Sequence, residues 1–231
     1  MKLTPKTITV LKNFYNINTG ICFKPGDVLN TVSASRSILA KAKVDVSFAR
    51  KFCIYDLSRF LHTVGLFYDP EITVNERSVD ISDKSSSVTY VCAAENLIAK
   101  PTDKSALLAL PEVVPYHFNL TNADMQQLFK AMSILGLPEV AVVGDGTHLM
   151  VKGIDSENHV ADTYTLTLGT TDKTFKAIFN IDNLNKLLLG DYEVKIDKVL
   201  DDEGAVINVS HFKNLTEDIE YWIVVSSQSQ L

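Results

Sequence analysis

Two short stretches, "IYDLSRFL" at residues 54–61 and "FNIDNLNKLL" at residues 179–188, constrain the fold of this chain more than any other feature. Each closes an apolar, strand-like run and turns into a short helical pattern with an aspartate near its start, Asp56 or Asp182. Each then leads into three further strand-like segments. Upstream of each lies a second helical pattern, Thr4–Tyr15 in one half and "FNLTNADMQQLFKAMSILG" in the other, followed by several strands. The order helix, strands, helix, three strands thus occurs twice, a repeat of architecture with little repeat of residue identity. A helix of two or three turns cannot enclose a core alone, but two of them laid on one face of an antiparallel sheet can. The repeat predicts an α+β fold of two similar domains, each with antiparallel sheets and two helices. The 231 residues suffice for two domains of ordinary size, although size alone also fits one large all-β unit.

Local signals place the elements. Pro5 falls where a first helical turn has no amide hydrogen bond to lose, and Ile8, Leu11, Phe14 and Tyr15 give that helix an apolar side. Asp56 caps the next helix, whose Leu57, Phe60, Leu61 and Val64 fall at i, i+3, i+4 and i+7. Thr121 and Asp124 have capping spacing ahead of Met125, Leu128, Phe129, Met132 and Leu135. Asp182 is the expected cap of the last helix, with Leu184, Leu187 and Leu188 turned inward. Pro25-Gly26 and Asp145-Gly146 supply turns between apolar segments, the second a strong hairpin signal. Residues 93–115 have mixed polarity, three prolines and the cluster "ALLALP"; they read as the crossing between domains 1–110 and 111–231.

Opposite their apolar sides the four helices share a chemistry. The first carries Lys2, Lys6, Thr9 and Asn13 close together, with Lys12 to one side. The second carries Arg59 and His62, the third Gln126, Gln127 and Lys130, the fourth Asn185 and Lys186. No acid faces outward from the middle of any of them, in a chain with 28 acids, 22 bases and a net charge of −6. The acids gather elsewhere, in "DDEG" and "NLTEDIE". The bulk charge gives no general attraction to nucleic acid or an anionic membrane, but contact depends on the local field. The pattern alone is compatible with plain solvation, a nucleic-acid face or a protein interface.

Catalytic constellations fail on spacing. "VVGDGTHLMVKG" lacks the order of a phosphate loop and lies between hairpin strands. Asp201, Asp202 and Glu203 followed by Gly204 read as a solvated turn rather than a cation site. His148 and His159 have no third ligand, and His62 beside Arg59 has no carboxylate or nucleophile partner. No catalytic residue, metal or cofactor is therefore expected. Cys22, Cys53 and Cys92, odd in number and widely spaced, read as inert core thiols in a reducing compartment. The N-terminus lacks the pattern of a secretion signal, and no apolar run approaches membrane-spanning length.

The stretches "MKLTPKTITVLKNFYNINTGICFKPG", "YDLSRFL", "LTNADMQQLFKAM", "TYTLTLG" and "FNIDNLNKLLLGDYEVKI" resemble, in order and over nearly the whole chain, the sliding clamps of T4-type bacteriophages. These are the DNA polymerase processivity factors of the gene 45 type. The resemblance implies a DNA-clamp fold assembling as a homotrimer into a closed ring, with two helices from each domain on the inner wall. It turns Lys6, Lys12, Arg59, Lys130 and Lys186 toward duplex DNA, with Asn13, His62, Gln126, Gln127 and Asn185 as polar neighbours. Twelve helices at roughly 10 Å spacing enclose a circle of about 38 Å at their axes, leaving roughly 25–30 Å inside the side chains. The resemblance further implies work in the cytoplasm of the infected bacterial host. Its partners there would be the phage DNA polymerase, an ATP-dependent clamp loader and late transcription factors. Leu107, Leu108 and Leu110 are candidates for docking a polymerase tail, or simply pack the linker. The rival readings are a phage structural or peptide-binding protein that forms no ring, and a small hydrolase.

Overall fold

The computed structural model describes residues 1–101, 108, 110–158, 160–200 and 204–231. The chain divides into two compact units, Met1–Thr102 and Asp103–Leu231.

The first unit begins with α1 (Pro5–Tyr15), where the Thr4 hydroxyl accepts from the Thr7 amide at 3.1 Å and Pro5 occupies the first turn. Then come β1 (Ile21–Phe23), β2 (Gly26–Val32), β3 (Ile38–Phe48) and β4 (Phe52–Ile54). The Pro25-Gly26 turn is built as expected, with Gly26 at φ 115°, where a side chain would be strained. Strict alternation along β3 puts Ala42, Val44, Val46 and Phe48 inside, and Lys41, Lys43 and Asp45 outside. α2 (Leu57–Val64) follows, capped by Asp56, and β5 (Glu71–Val74), β6 (Ser78–Ser82) and β7 (Ser87–Val91) form an antiparallel sheet in that order. α1 packs on β3 and on α2.

The second unit repeats this order: α3 (Asn122–Leu135), then β9 (Glu139–Asp145), β10 (His148–Ile154), β11 (Tyr164–Thr170) and β12 (Thr174–Asn180), then α4 (Ile181–Leu184), then β13 (Tyr192–Leu200), β14 (Val206–Asn214) and β15 (Ile219–Val224). Four strands lie between the helices and three after them in both units, and β1 pairs with β4 as β9 pairs with β12. An additional strand, β8 (Tyr116–Leu120), precedes α3 and pairs with β13. Met1 does the same for β5 in miniature, since its amino group donates to the Ile72 carbonyl and its carbonyl accepts from the Ile72 amide, both at 2.8 Å. α3 packs on β10 and β11, and α4 on β12. Met125, Leu128 and Phe129 of α3 and Leu184 and Leu187 from the α4 region line one cavity of about 20 Å³, so both helices bury their apolar sides in the same core.

Four sequence expectations require correction. Tyr15 and Leu135, expected in the core, are both exposed at 38% because each falls at a helix C-terminus where the apolar stripe has drifted off the sheet. α4 is a single four-residue turn, and its cap is Asn180, whose side chain accepts from the Asp182 amide at 2.7 Å. Cys22 and Cys53 are joined by a disulfide, because pairing of β1 with β4 sets them directly opposite each other. Only Cys92 is a free thiol, and burial pushes its pKa up. The Asp201–Glu203 turn, His159 and Leu107 lie outside the described residues.

Candidate nucleic-acid interface

Short helices present a polar face only if their ends are satisfied, and each of the four is capped by a side chain. In α2 the Asp56 carboxylate accepts from the Arg59 amide at 2.8 Å, and the Tyr90 hydroxyl donates to the Asp56 carbonyl at 3.1 Å. Tyr90 also meets the Phe60 ring edge to face at 5.3 Å, fixing α2 against β7. In α3 the reciprocal box is complete: the Thr121 hydroxyl accepts from the Asp124 amide, and the Asp124 carboxylate accepts from the Thr121 amide. Gly136 closes α3 in the left-handed conformation, φ 64°.

On these scaffolds Lys12, Arg59, His62, Gln126, Gln127, Lys130 and Asn185 are exposed, and Lys6 and Lys186 are half-buried. In the first unit α1 and α2 are in contact, so Lys6, Lys12, Arg59 and His62 stand on neighbouring helices. In the second, Gln126, Gln127 and Lys130 lie on α3, and Asn185 and Lys186 at the end of α4. Asn13 does not belong to the exposed set. It is 7% exposed, one turn beyond Val10 on the margin of the apolar stripe. Lys2 spends its charge on Asp69, with which it forms an ion pair. Leu108 is exposed and Leu110 half-buried.

The acids near these helices sit at or beside their amino ends. Asp56, Asp124 and Asp182 lie there by capping or first-turn placement, where the exposed amides favour negative charge. Asp45 of β3 accepts hydrogen bonds from the hydroxyls of Thr4 at 2.5 Å and Thr7 at 2.8 Å. These bonds, with a smaller contribution from the Lys6 ammonium, hold its carboxyl below the ordinary range. Cations and amides therefore dominate the helix bodies, an arrangement suited to transient contact with phosphates and not to acid–base chemistry. Among the described residues no group of three histidines, cysteines or acids could hold a metal ion.

The residues that hold the end of α4 carry no sequence signal. The Leu188 amide donates to the Tyr221 hydroxyl at 3.1 Å, and the Tyr192 hydroxyl donates to the Leu188 carbonyl. Both hydroxyls come from buried core tyrosines of β13 and β15, and nothing in the local sequence shows that their oxygens reach back to residue 188.

Residues 2–107 match the family of DNA polymerase processivity factors. The chain is 27% identical to the sliding clamp of Vibrio phage KVP40 over 98% of its own length and all of the relative's. To the sliding clamp of Enterobacteria phage T4 it is 28% identical, over 84% of this chain and 86% of that one. The proliferating cellular nuclear antigen of Entamoeba histolytica shares the fold with a TM-score of 0.63 at 12% identity, over 96% of this chain and 95% of that one. With its doubled α+β architecture, the chain shares the clamp fold, and over nearly its whole length its sequence is similar to the sliding clamps of phages.

Proposed function

We propose that three copies of this chain close into a ring around duplex DNA and hold the replicative polymerase of a phage on its template inside a bacterial host. The observation that carries this reading is the doubled pair of capped helices, each buried on its apolar side and basic or amide-bearing on the other. The DNA-facing set is Lys6, Lys12, Arg59, Lys130 and Lys186, with His62, Gln126, Gln127 and Asn185 beside them; buried Asn13 is left out. A ring is retained by topology, so its lining need only neutralise phosphates briefly. A dense lining of cations would instead release many counterions and hold one position tightly. With few side chains able to read base edges, sequence preference is weak. As a processivity factor the chain is a non-enzymatic scaffold.

Closing a ring takes two complementary edges per subunit. β7 ("SVTYV") and β11 ("YTLTLGT") carry no charge and no proline, and their Ser87, Thr89, Val91, Thr165 and Thr167 are exposed. Such uncharged edges invite strand pairing, and the proposed seam joins β7 of one subunit to β11 of the next. The further partners on this reading are an ATP-driven loader, a polymerase tail docking near Leu108 and Leu110, and late transcription proteins.

Mass in solution tests the ring. Three copies of the 25.6 kDa chain give about 77 kDa, and the ring form should raise polymerase processivity on primed circular DNA. Val91→Lys combined with Thr167→Lys should return the mass to that of one chain and abolish the stimulation. A stable monomer at micromolar concentration that leaves the polymerase unaffected defeats the proposal. Replacing Lys12, Arg59, Lys130 and Lys186 by alanine with no change in loading or sliding would remove the charge assignment and leave the ring.

A further inference from the structure

We infer that Cys22 and Cys53 form a reversible dithiol–disulfide site that clips α1 to α2. The two residues face each other across the central rung of the β1–β4 ladder, with Cα atoms 4.1 Å apart. That ladder has only three rungs, Ile21–Ile54, Cys22–Cys53 and Phe23–Phe52, whereas its counterpart β9–β12 has seven. A two-stranded ladder this short is marginal by itself. The covalent bond, with the Phe23 and Phe52 rings stacked beside it at 4.3 Å, supplies here what four further rungs supply in the other unit.

The ladder's position gives the bond its consequence. β1 follows α1 after five residues, and β4 passes through Tyr55 and Asp56 straight into α2. The Leu57 amide, at the start of α2, donates to the Thr19 carbonyl at 2.8 Å, and the Ala93 amide donates to the Cys53 carbonyl at 2.8 Å. Opening the bond therefore loosens the junction between the two helices and one anchor of the segment that leaves β7, the Ala93 amide on the Cys53 carbonyl. In the reducing interior of a bacterium, disulfides are chiefly transient and redox-responsive. The compartment rests on the proposed function; the bond and its effect on the junction do not.

The chemistry balances with a low-molecular-weight disulfide as oxidant. Cys22 is half-buried and Cys53 is 4% exposed, so Cys22 is the sulfur an external reagent reaches. The Cys22 thiolate attacks one sulfur of the small disulfide and expels a first thiolate; the Cys53 thiolate then attacks Cys22 and expels a second. Two small thiols leave with the two electrons and the two protons given up by the cysteines, and reduction runs the same steps backward. Cys92, its thiol kept protonated by burial, is a poor attacker and does not scramble the pair.

The test uses the full chain, equilibrated in buffers of graded reduced-to-oxidised glutathione ratio, quenched in acid, then alkylated under denaturing conditions and weighed intact. One alkyl group per chain is expected under oxidising conditions and three under reducing conditions; Cys92→Ala should give none and two. On reduction, amide exchange across residues 19–23, 52–57 and 93 should accelerate by about tenfold or more, with β9 and β12 unchanged. Three alkyl groups at every ratio, one at every ratio, a bridge that includes Cys92, or exchange indifferent to reduction would each overturn the inference. None of these readings depends on whether the chain forms a ring.

Discussion

α2 and α4 occupy the same place in the repeat, after the fourth strand of a unit and before its last three, yet different forces hold them. α2 has eight residues, an aspartate cap and a Tyr90–Phe60 contact at its flank. α4 has four residues, after which Lys186 and Leu187 continue through single-turn bonds to the Asn183 and Leu184 carbonyls at 3.2 and 3.0 Å. From Leu188 onward no helical bond remains, and the Tyr192 and Tyr221 hydroxyls satisfy that peptide instead. A polar flank can thus be displayed either on a self-supporting helix or on a loop whose backbone groups are captured by core side chains. The second solution leans on tertiary structure, so it should fail when that structure is disturbed.

The sharpest contrast lies in a glycine that follows each of the two helices. A Cβ on Gly190 would sit 2.5 Å from Asn214 Nδ2, and Asn214 is buried with its Oδ1 accepting from the Thr216 and Glu217 amides. That side chain cannot yield cheaply, so Gly190→Ala should destabilise the second unit by about 2–3 kcal/mol in denaturant unfolding. A Cβ on Gly65 meets nothing nearer than the His62 carbonyl at 3.4 Å, and Gly65 has φ −69°. Gly65→Ala should therefore be neutral or stabilising by up to about 0.5 kcal/mol. Equal costs would mean that the loop after α4 is no more dependent on its surroundings than α2.

The tyrosines carry a pH signature. Burial pushes the Tyr192 pKa from 10.0 up to about 12, opposed in part by the polar side chains of Asn214 and Tyr221 beside it. The folded state holds this proton more tightly than the unfolded chain, so the associated stability is fully present below pH 10 and is lost as pH rises toward 12. Linkage puts that loss on the order of 2 kcal/mol. Tyr192→Phe should cost about 1–2 kcal/mol at neutral pH, because it strips the Leu188 carbonyl of its donor. It should also flatten the alkaline fall in stability between pH 9 and 12 and speed exchange of amides near residue 188. An unchanged alkaline limb would remove Tyr192 from the anchoring of that loop.

What could be read from sequence was governed by distance along the chain. Caps such as Asp56 and Thr121–Asp124, and the Asp145-Gly146 turn, act over two to four residues and announce themselves locally. The repeat itself was readable because each unit spells its elements in the same order. The Cys22–Cys53 bond was not, because it depends on a register between strands 31 residues apart. The length of α4 was hidden for a related reason, since "NLNKLLLG" is helix-compatible until Tyr192 and Tyr221 offer Leu188 another partner. Asn13 misled because a polar residue on the edge of an apolar stripe can fall on either side of it, and packing against the sheet decides. β8 went unread because five residues beside a proline-bearing linker give too short an alternation to separate strand from loop.

The smallest expected difference concerns the caps. The Asp56 carboxylate satisfies the Arg59 amide at the head of a two-turn helix, where charge and hydrogen bond act together. Asn180 satisfies only the Asp182 amide, at the head of a single turn held chiefly by the tyrosine bonds to Leu188. Asp56→Ala should therefore cost about 1 kcal/mol in denaturant unfolding, and Asn180→Ala nearer to 0.5 kcal/mol. The Asp56 variant should also fray α2 and raise exchange at Arg59 and Phe60, whereas the Asn180 variant should leave the Leu188 amide protected. If Asn180→Ala exposed Leu188 as fully as Tyr192→Phe does, α4 would be anchored from its amino end after all. The two helices would then differ in length but not in the way they are held.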